Sequence, residues 1–297
     1  MSEPQAKTVR PLYFIASYPR SGSHWVRSVV FLLAAMRSAP KGGTIDLRNI
    51  DNIIPWDVHG ALYEKATGQK PGQMSEVEIA AARADVHRLL ATEFKGLPVV
   101  RTHAVRGTFH GHPTINPQVT RGAAYIVRNP LDVASALIDE TGTPPMKIIE
   151  MMMKADRRVR PHKVAVTEPQ GSWSQNVASW TGREEKAILV LKFEDIAKNP
   201  THQFRKLAEH MRLPITEEAL IQAVKLIDAQ RKKAGRQGLA RDYRKTLQPI
   251  HARAVIEGHA VEMNRHGYLT PSVLDYVGLT KEQALEIGAR HAPRAVQ

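Results

Sequence analysis

The chain has 297 residues, of which 42% are hydrophobic and 24% are charged, an ordinary balance for a globular protein with a sizeable core. It contains no cysteine, which excludes disulfides, thiolate metal sites and cysteine nucleophiles. The formal net charge of +13 favours anionic partners such as nucleotides, nucleic acids, acidic lipids or polyanionic substrates.

The hydropathy pattern gives no sign of a membrane segment. The longest apolar run, Val29 to Met36, is far shorter than the roughly 20 residues that a transmembrane helix needs. The first residues are polar and lack the apolar centre of a signal peptide. We therefore expect a soluble protein located in the cytoplasm.

The first structured segment is PLYFIASYPRSGSHWVRSVVFLLAAM, residues 11–36. The apolar run from Leu12 to Ala16 predicts a buried strand, and apolar residues at helical spacing after Ser23 predict a helix. Between them lies a turn of small residues with one cation, Arg20. Strand, small-residue turn and helix form a P-loop-like arrangement in which free N–H groups and the positive end of the helix dipole face a phosphate. A plain strand–turn–helix corner capped by a serine is the alternative interpretation.

The rest of the chain alternates between strand-like and helix-like patterns. Strands are expected at residues 97–102, 123–127 and 187–193, and helices at 75–94, 131–139, 146–153, 172–181, 199–211, 216–232 and 249–265, with a last short helix after Thr280. Loops are expected at residues 41–73 and 104–122, and a basic, mobile stretch at 157–170. The alternation predicts an α/β protein: a single domain with a mostly parallel sheet flanked by helices.

Polar side chains follow the expected strands at three places. They are Arg20, His103 and Arg128. Ligands of parallel α/β sheets bind beyond the carboxyl ends of the strands, so these side chains are the first candidates for a site. Histidine has the unperturbed pKa best suited to accepting a proton near neutral pH, although the chain contains 13 histidines.

The loop sequence YPRSGSHW resembles the 5′-phosphosulfate-binding loop of the sulfotransferases that use PAPS (3′-phosphoadenosine 5′-phosphosulfate), which typically reads YPKSGTTW or YPKSGNTW. Arg20 stands where that family usually has lysine, which keeps the charge and changes the hydrogen-bond geometry. The resemblance implies that the loop binds PAPS through Arg20, Ser21, Gly22, Ser23, His24 and Trp25.

Two further motifs extend the resemblance. VVRTHAV is similar to the family segment VKTH, which implies that His103 is the general base for the acceptor hydroxyl. YIVRNPLDVASAL is similar to the 3′-phosphate motif RNPxDVAxS, which implies that Arg128 binds that phosphate. The motif serine falls at Ala136, and Ser135 lies one residue earlier. Because one residue rotates a helix by about 100°, Ser135 would reach the phosphate only if the helix shifts.

Two later segments also resemble the family, the first nearly residue for residue in character and the second weakly. Residues 187–214 are similar to VLVLRYEDLLxDPxxxLRRLAxFLGLP, and Phe193 replaces the tyrosine that borders the adenine side, which keeps the ring without its hydroxyl. The stretch RQGLARDY aligns weakly with RKGxxGDW, a loop that closes over the 3′-phosphate, and this implies Arg236, Gln237 and Gly238 as contacts. A solvated basic turn is the alternative for that stretch.

The resemblance predicts a PAPS-dependent sulfotransferase that acts on a hydroxyl group, or less favourably an amine, with His103 and Arg20 as catalytic residues. It covers residues 11–268, preceded by a tail at 1–10 and followed by a helical extension at 269–297. The expected partners are PAPS, its product PAP, and a small-molecule or saccharide acceptor, with an aromatic and an acidic acceptor equally compatible; no metal and no specific nucleic acid are expected. The alternatives are a nucleotide-dependent phosphotransferase, and an inactive basic protein that binds nucleotides or polyanions.

Overall fold

A computed structural model describes residues 8–38, 50–159, 164–233 and 242–291 of the chain. The β-strands are β1 (Leu12–Ser17), β2 (Val99–Thr102), β3 (Thr108–Phe109), β4 (His112–Pro113), β5 (Thr120–Val127), β6 (Arg158–Val159), β7 (Glu168–Pro169) and β8 (Ile188–Lys192). The α-helices are α1 (Ser23–Ser38), α2 (Ile50–Ile53), α3 (Gly60–Thr67), α4 (Glu76–Thr92), α5 (Pro130–Thr141), α6 (Pro145–Met153), α7 (Trp173–Thr181), α8 (Phe193–Lys198), α9 (Pro200–His210), α10 (Glu217–Lys233), α11 (Pro249–Arg265), α12 (Pro271–Val277) and α13 (Lys281–His291).

The central sheet has the strand order β2-β1-β5-β8, and all of its strand pairs are parallel. Two short antiparallel hairpins, β3 with β4 and β6 with β7, lie outside it. The α/β class, the parallel sheet and the flanking helices are therefore confirmed. Because β1, β2 and β5 are neighbours, the residues that follow them meet at one edge of the sheet.

Alternate residues of β1 face two different hydrophobic layers. Leu12, Phe14 and Ala16 belong to the layer that includes residues of α4, α5, α7 and α11. Tyr13 and Ile15 belong to the layer that includes residues of α1, α9 and α10. A strand that is buried on both faces reads as a continuous apolar run, which is the pattern that predicted β1.

Local signals in the sequence set several helix starts as expected. Ser75 and Glu78 form the reciprocal capping box before α4, and Thr280 and Gln283 form a matching pair of bonds before α13. The strand expected at 187–193 ends at Lys192, because Phe193 already begins α8. Helix α12 lies within the helical extension expected at 269–297; Thr270 caps it and proline occupies its first turn.

Two expected loops contain ordered, buried structure. The described part of residues 41–73 forms α2 and α3, and it buries Asp57, Val58 and Tyr63 completely. Residues 165–170, part of the stretch expected to be mobile, are buried, and residues 165–168 are at most 4% exposed. Composition misled both expectations, since glycine, proline and charged residues there take part in buried hydrogen bonds. The domain bounds proposed at 10 and 268 stay predictions.

Candidate active site

The candidate site lies at the carboxyl edge of the sheet, where the segments after β1, β2 and β5 come together. The residues that follow these strands include Arg20, His103 and Arg128, as the sequence predicted. Contacts within the site link all three segments: Arg128 donates a hydrogen bond to the carbonyl of Arg20, and His103 contacts the carbonyl of Ser17.

The loop after β1 needs glycine at position 22. Gly22 has φ = 100°, and a Cβ atom placed there would lie 2.5 Å from Cδ2 of Phe193. Both the backbone conformation and the close ring exclude a larger side chain. The Gly22 carbonyl accepts the amide of Trp25 at 3.0 Å, which starts the first turn of α1. The first N–H groups of a helix have no acceptor within the helix, so this turn presents donors to a ligand.

Arg20 combines an unusual backbone conformation with an exposed ion pair. Its φ is 66°, in the left-handed region that non-glycine residues seldom adopt. The side chain is 37% exposed and donates to Oε1 of Glu140 at 2.9 Å. An exposed pair of this kind contributes little stability, so the guanidinium can exchange Glu140 for another oxyanion at small cost.

The neighbouring residues of the loop differ strongly in exposure. Ser21 is 1% exposed, and within the described ranges its Oγ atom has no hydrogen-bond partner. Ser23 is buried at the start of α1, whereas His24 is exposed and its carbonyl accepts from Ser28 Oγ at 2.8 Å. Trp25 is buried, and the guanidinium of Arg231 lies 3.4 Å from its ring centroid.

Arg128 and Phe193 form the floor beneath this loop. Arg128 is 7% exposed, and its guanidinium carbon lies 4.3 Å from the centroid of the Phe193 ring. One of its nitrogens donates to the Arg20 carbonyl at 2.9 Å. The Phe193 ring also meets Trp25 edge to face, with the centroids 6.0 Å apart. Arg128 therefore reaches from the end of β5 to the backbone of the loop after β1.

Ser135 and the basic loop after α10 were weaker candidates. Ser135 is 1% exposed, and its hydroxyl donates to Oγ1 of Thr246 at 2.9 Å. Ala136, at the position of the family serine, is also buried. Arg236, Gln237 and Gly238 lie outside the described residues. The role of each of these positions stays a prediction.

His103 is buried with both ring nitrogens in contact with neighbours. Nδ1 lies 2.6 Å from the Ser17 carbonyl oxygen, so Nδ1 carries the proton and Nε2 presents its lone pair. Nε2 accepts from a guanidinium nitrogen of Arg101 at 3.0 Å. Burial first, and then the charge of Arg101, lower the pKa of His103 to about 4, while the nearby carboxylates of Glu168 and Asp57 act in the opposite direction. The side chain is therefore a neutral base at physiological pH.

Sequence reasoning missed Glu168, which organises the surroundings of His103. Its Oε1 atom accepts from the backbone N–H of His103 at 2.9 Å and from the indole N–H of Trp56 at 3.2 Å. Its Oε2 atom accepts from the amide of Gln170 at 2.7 Å. The guanidinium of Arg101 lies over the ring of Trp56, with its carbon 4.4 Å from the ring centroid. A single glutamate within an apolar stretch, VAVTEPQ, was the available signal.

The family is shown by a sequence profile. The profile described as "Sulfotransferase domain" matches residues 10–254. The chain belongs to the sulfotransferase domain family. A search of curated proteins finds no match.

Solved structures share the fold of this sulfotransferase at low sequence identity. Mouse sulfotransferase SULT7A1, in complex with PAP, has a TM-score of 0.55 and 17% identity, and the match covers 91% of each chain. Retinol dehydratase, in complex with androsterone and inactive cofactor PAP, has a TM-score of 0.52 and 15% identity over 90% of this chain and 84% of that one. At these identities the comparison supports the fold alone.

Two further findings concern membrane-spanning helices and metal sites in the described part of the sulfotransferase. Among the described helices, none combines the length and apolar character needed to cross a bilayer. Within the described ranges, no group of histidine and carboxylate side chains has the arrangement of a metal site.

Proposed function

We propose that this sulfotransferase moves the sulfuryl group of PAPS to a hydroxyl group of a small-molecule or saccharide acceptor, with His103 as the general base. The observation that carries the proposal is the neutral, buried His103, whose Nε2 lone pair is directed into a cationic site at the carboxyl edge of the sheet. A base of this type typically accelerates a reaction by about 10²–10⁴-fold.

The loop and its surroundings fit a nucleotide with phosphates at both ends. At one end, the first turn of α1 offers N–H donors. Among the described residues, the buried hydroxyl of Ser21 has no partner and the Arg20 guanidinium is held by an exposed ion pair. At the other end, the buried guanidinium of Arg128 is stacked on the ring of Phe193. These groups would hold the 5′-phosphosulfate and the 3′-phosphate respectively.

Bound PAPS would supply a sulfuryl group whose bond to the 5′-phosphate oxygen breaks while the bond from the acceptor oxygen to sulfur forms. His103 takes the hydroxyl proton at Nε2, and its Nδ1–H remains bonded to the Ser17 carbonyl. For this transfer the acceptor hydroxyl would first take the place that Arg101 holds beside Nε2, which would leave Arg101 next to the transferring group. Arg20 and the amides of the loop neutralise charge on the leaving phosphate, which is usually the largest catalytic contribution.

A thermal-shift titration with PAP, ADP and ATP–magnesium tests the proposal. A ligand that binds only the native state raises the apparent melting temperature by mass action, so PAP should stabilise the protein and ADP should do so much less. The variant Arg128→Met should lose most of the PAP response, whereas His103→Ala should keep it and lose sulfuryl transfer. A protein that does not respond to PAP, or that responds equally to ADP, would contradict the proposal.

A further inference from the structure

Two half-buried arginines, Arg101 in contact with His103 and Arg157 linked to it through a chain of three hydrogen bonds, have no carboxylate partner within the ranges that the structure describes. Arg101 contacts the Nε2 atom of His103 and the ring of Trp56, both of which are uncharged. Arg157 donates to the side-chain oxygen of Gln170, an amide. Cations that are partly removed from water are normally paired, so an unpaired couple at a reaction site calls for an anion.

The carboxylates closest to this site are already occupied. Glu168 accepts hydrogen bonds from His103, Trp56 and Gln170. Asp57 lies in the interior and pairs with Arg83 at 3.2 Å. Neither carboxylate lies within ion-pair distance of Arg101 or Arg157, so the positive charge of these two arginines is left for a ligand.

Arg157 is held in a defined position close to the base. Its carbonyl accepts the amides of Gln170 and Gly171, both at 2.8 Å, where β6 and β7 pair. A chain of side-chain bonds then runs from Arg157 through Gln170 and Glu168 to the backbone of His103. Burial raises the pKa of Tyr18 to about 12, and the charge of Arg157 opposes that rise, which places Arg157 beside the residue that follows Ser17.

The two arginines differ in what they can reach. Arg101 touches the nitrogen that accepts the proton, so it faces the reacting oxygen and the transferring sulfuryl group. Arg157 is linked to His103 through Gln170 and Glu168 and so lies farther from the reacting oxygen, where another part of the acceptor would bind. We propose that the acceptor is a hydroxyl compound with a second, anionic group, a carboxylate or a similar oxyanion, and that Arg157 binds this group. The inference rests on the proposed function, since it names the acceptor class of that same site.

Matched acceptor pairs test the proposal directly. Each pair is a hydroxy acid and its methyl ester, for example 4-hydroxybenzoate with methyl 4-hydroxybenzoate, and glucuronate with its methyl ester. With PAPS as the donor, kcat/KM should be about tenfold higher for the acid of a pair, because a charge-assisted bond to a guanidinium is lost in the ester. In Arg157→Gln that advantage should disappear, with the affinity for PAP changed by less than about twofold.

The neighbouring Arg158 supplies the matched control. It is 49% exposed and already pairs with Glu76 at 3.3 Å, so Arg158→Gln should keep the preference for the acid. If the wild-type protein uses acid and ester equally, or if both variants behave alike, the inference is overturned. If no member of either pair is sulfated, calorimetric titration of the PAP-saturated protein decides: acids that bind no better than their esters overturn it as well. A protein that binds no PAP speaks against the proposed function instead.

Discussion

A guanidinium nitrogen of Arg101 lies 3.0 Å from the Nε2 atom of His103, so the residue placed to accept a proton is in contact with a cation. This contact favours the neutral form of the histidine, and burial acts in the same direction. The ring of His103 is therefore neutral across the physiological range, with a proton on Nδ1 and none on Nε2, and it is a weak base in the thermodynamic sense. When the acceptor displaces Arg101, the pKa of His103 would rise, so the histidine would be a stronger base when the proton is transferred.

The first prediction concerns the pH dependence of catalysis. Because the folded pKa of His103 is depressed to about 4, kcat/KM should be flat from neutral pH down to about pH 5 and fall as the pH approaches 4. In Arg101→Gln the acid limb should move to higher pH, since Arg101 lowers this pKa. Initial rates measured between pH 3.5 and 8, with circular dichroism to exclude unfolding, check both. An acid limb that stays in place in the variant would show that Arg101 does not control the base.

Glu168→Gln should slow the reaction without weakening nucleotide binding. The substitution removes the carboxylate that holds the backbone of His103 and the indole of Trp56, and it removes a charge that raises the pKa of His103. We expect kcat to fall by roughly tenfold, and stability by about 1–3 kcal/mol, as is typical when buried donors lose their acceptor. The measurements are steady-state kinetics, calorimetric titration with PAP, and urea unfolding.

Glu185→Gln is the control for this variant. Glu185 is 34% exposed and pairs with Arg106 before β8, at the opposite edge of the sheet. Its replacement should cost less than about 1 kcal/mol and leave kcat unchanged. Glu168→Asp should recover part of the lost rate. Equal losses of kcat in the Glu168 and Glu185 variants would contradict a specific role for Glu168.

Gly22→Ala should destabilise the fold and weaken PAP binding together. The new Cβ atom would lie 2.5 Å from the Phe193 ring, and alanine would be held at φ = 100°. Strain and overpacking each cost about 1–3 kcal/mol. Gly68→Ala separates the two effects, because Gly68 has φ = 74° and nothing lies within 4 Å of the added atom. Urea unfolding should rank Gly22→Ala below Gly68→Ala, and the reverse order would refute this account.

Glu140→Gln should strengthen PAP binding modestly. Glu140 holds the Arg20 guanidinium in an exposed ion pair that a bound phosphate would replace. Since such pairs contribute about 0.2–1 kcal/mol, the affinity should rise by about 1.4- to fivefold at low salt, and less at high salt. Glu257→Gln, which breaks the exposed pair with Arg253, is the control. Weaker PAP binding in Glu140→Gln would mean that Glu140 positions Arg20 rather than competing for it.

Strong local signals made much of the fold predictable from the sequence. The buried run of β1, the capping box before α4 and the prolines that open α5, α9 and α11 each act within a few residues, and all appear in the structure. The carboxyl-edge position of Arg20, His103 and Arg128 followed from the expectation of a parallel sheet, since parallel strands end on the same side.

Contacts between distant segments explain what the sequence could not predict. Asp57 and Glu168 are charged residues that composition assigns to the surface, yet they are buried because Arg83 and Trp56 reach them from elsewhere in the chain. The pairing of Arg20 with Glu140 joins residues 120 positions apart. Sequence periodicity carries no information on such pairs, so the polar surroundings of His103 required the structure.

The bond from Arg128 to the Arg20 carbonyl has a consequence for the order in which the site is assembled. The arginine proposed for one end of the nucleotide fixes the backbone that would receive the other end. The receiving loop thus has its shape before any ligand arrives, and little conformational entropy remains to be lost on association. Loss of the Arg128 side chain would therefore weaken binding of both phosphate groups. The 5′-phosphosulfate would be affected through the loop, without a contact of its own to Arg128.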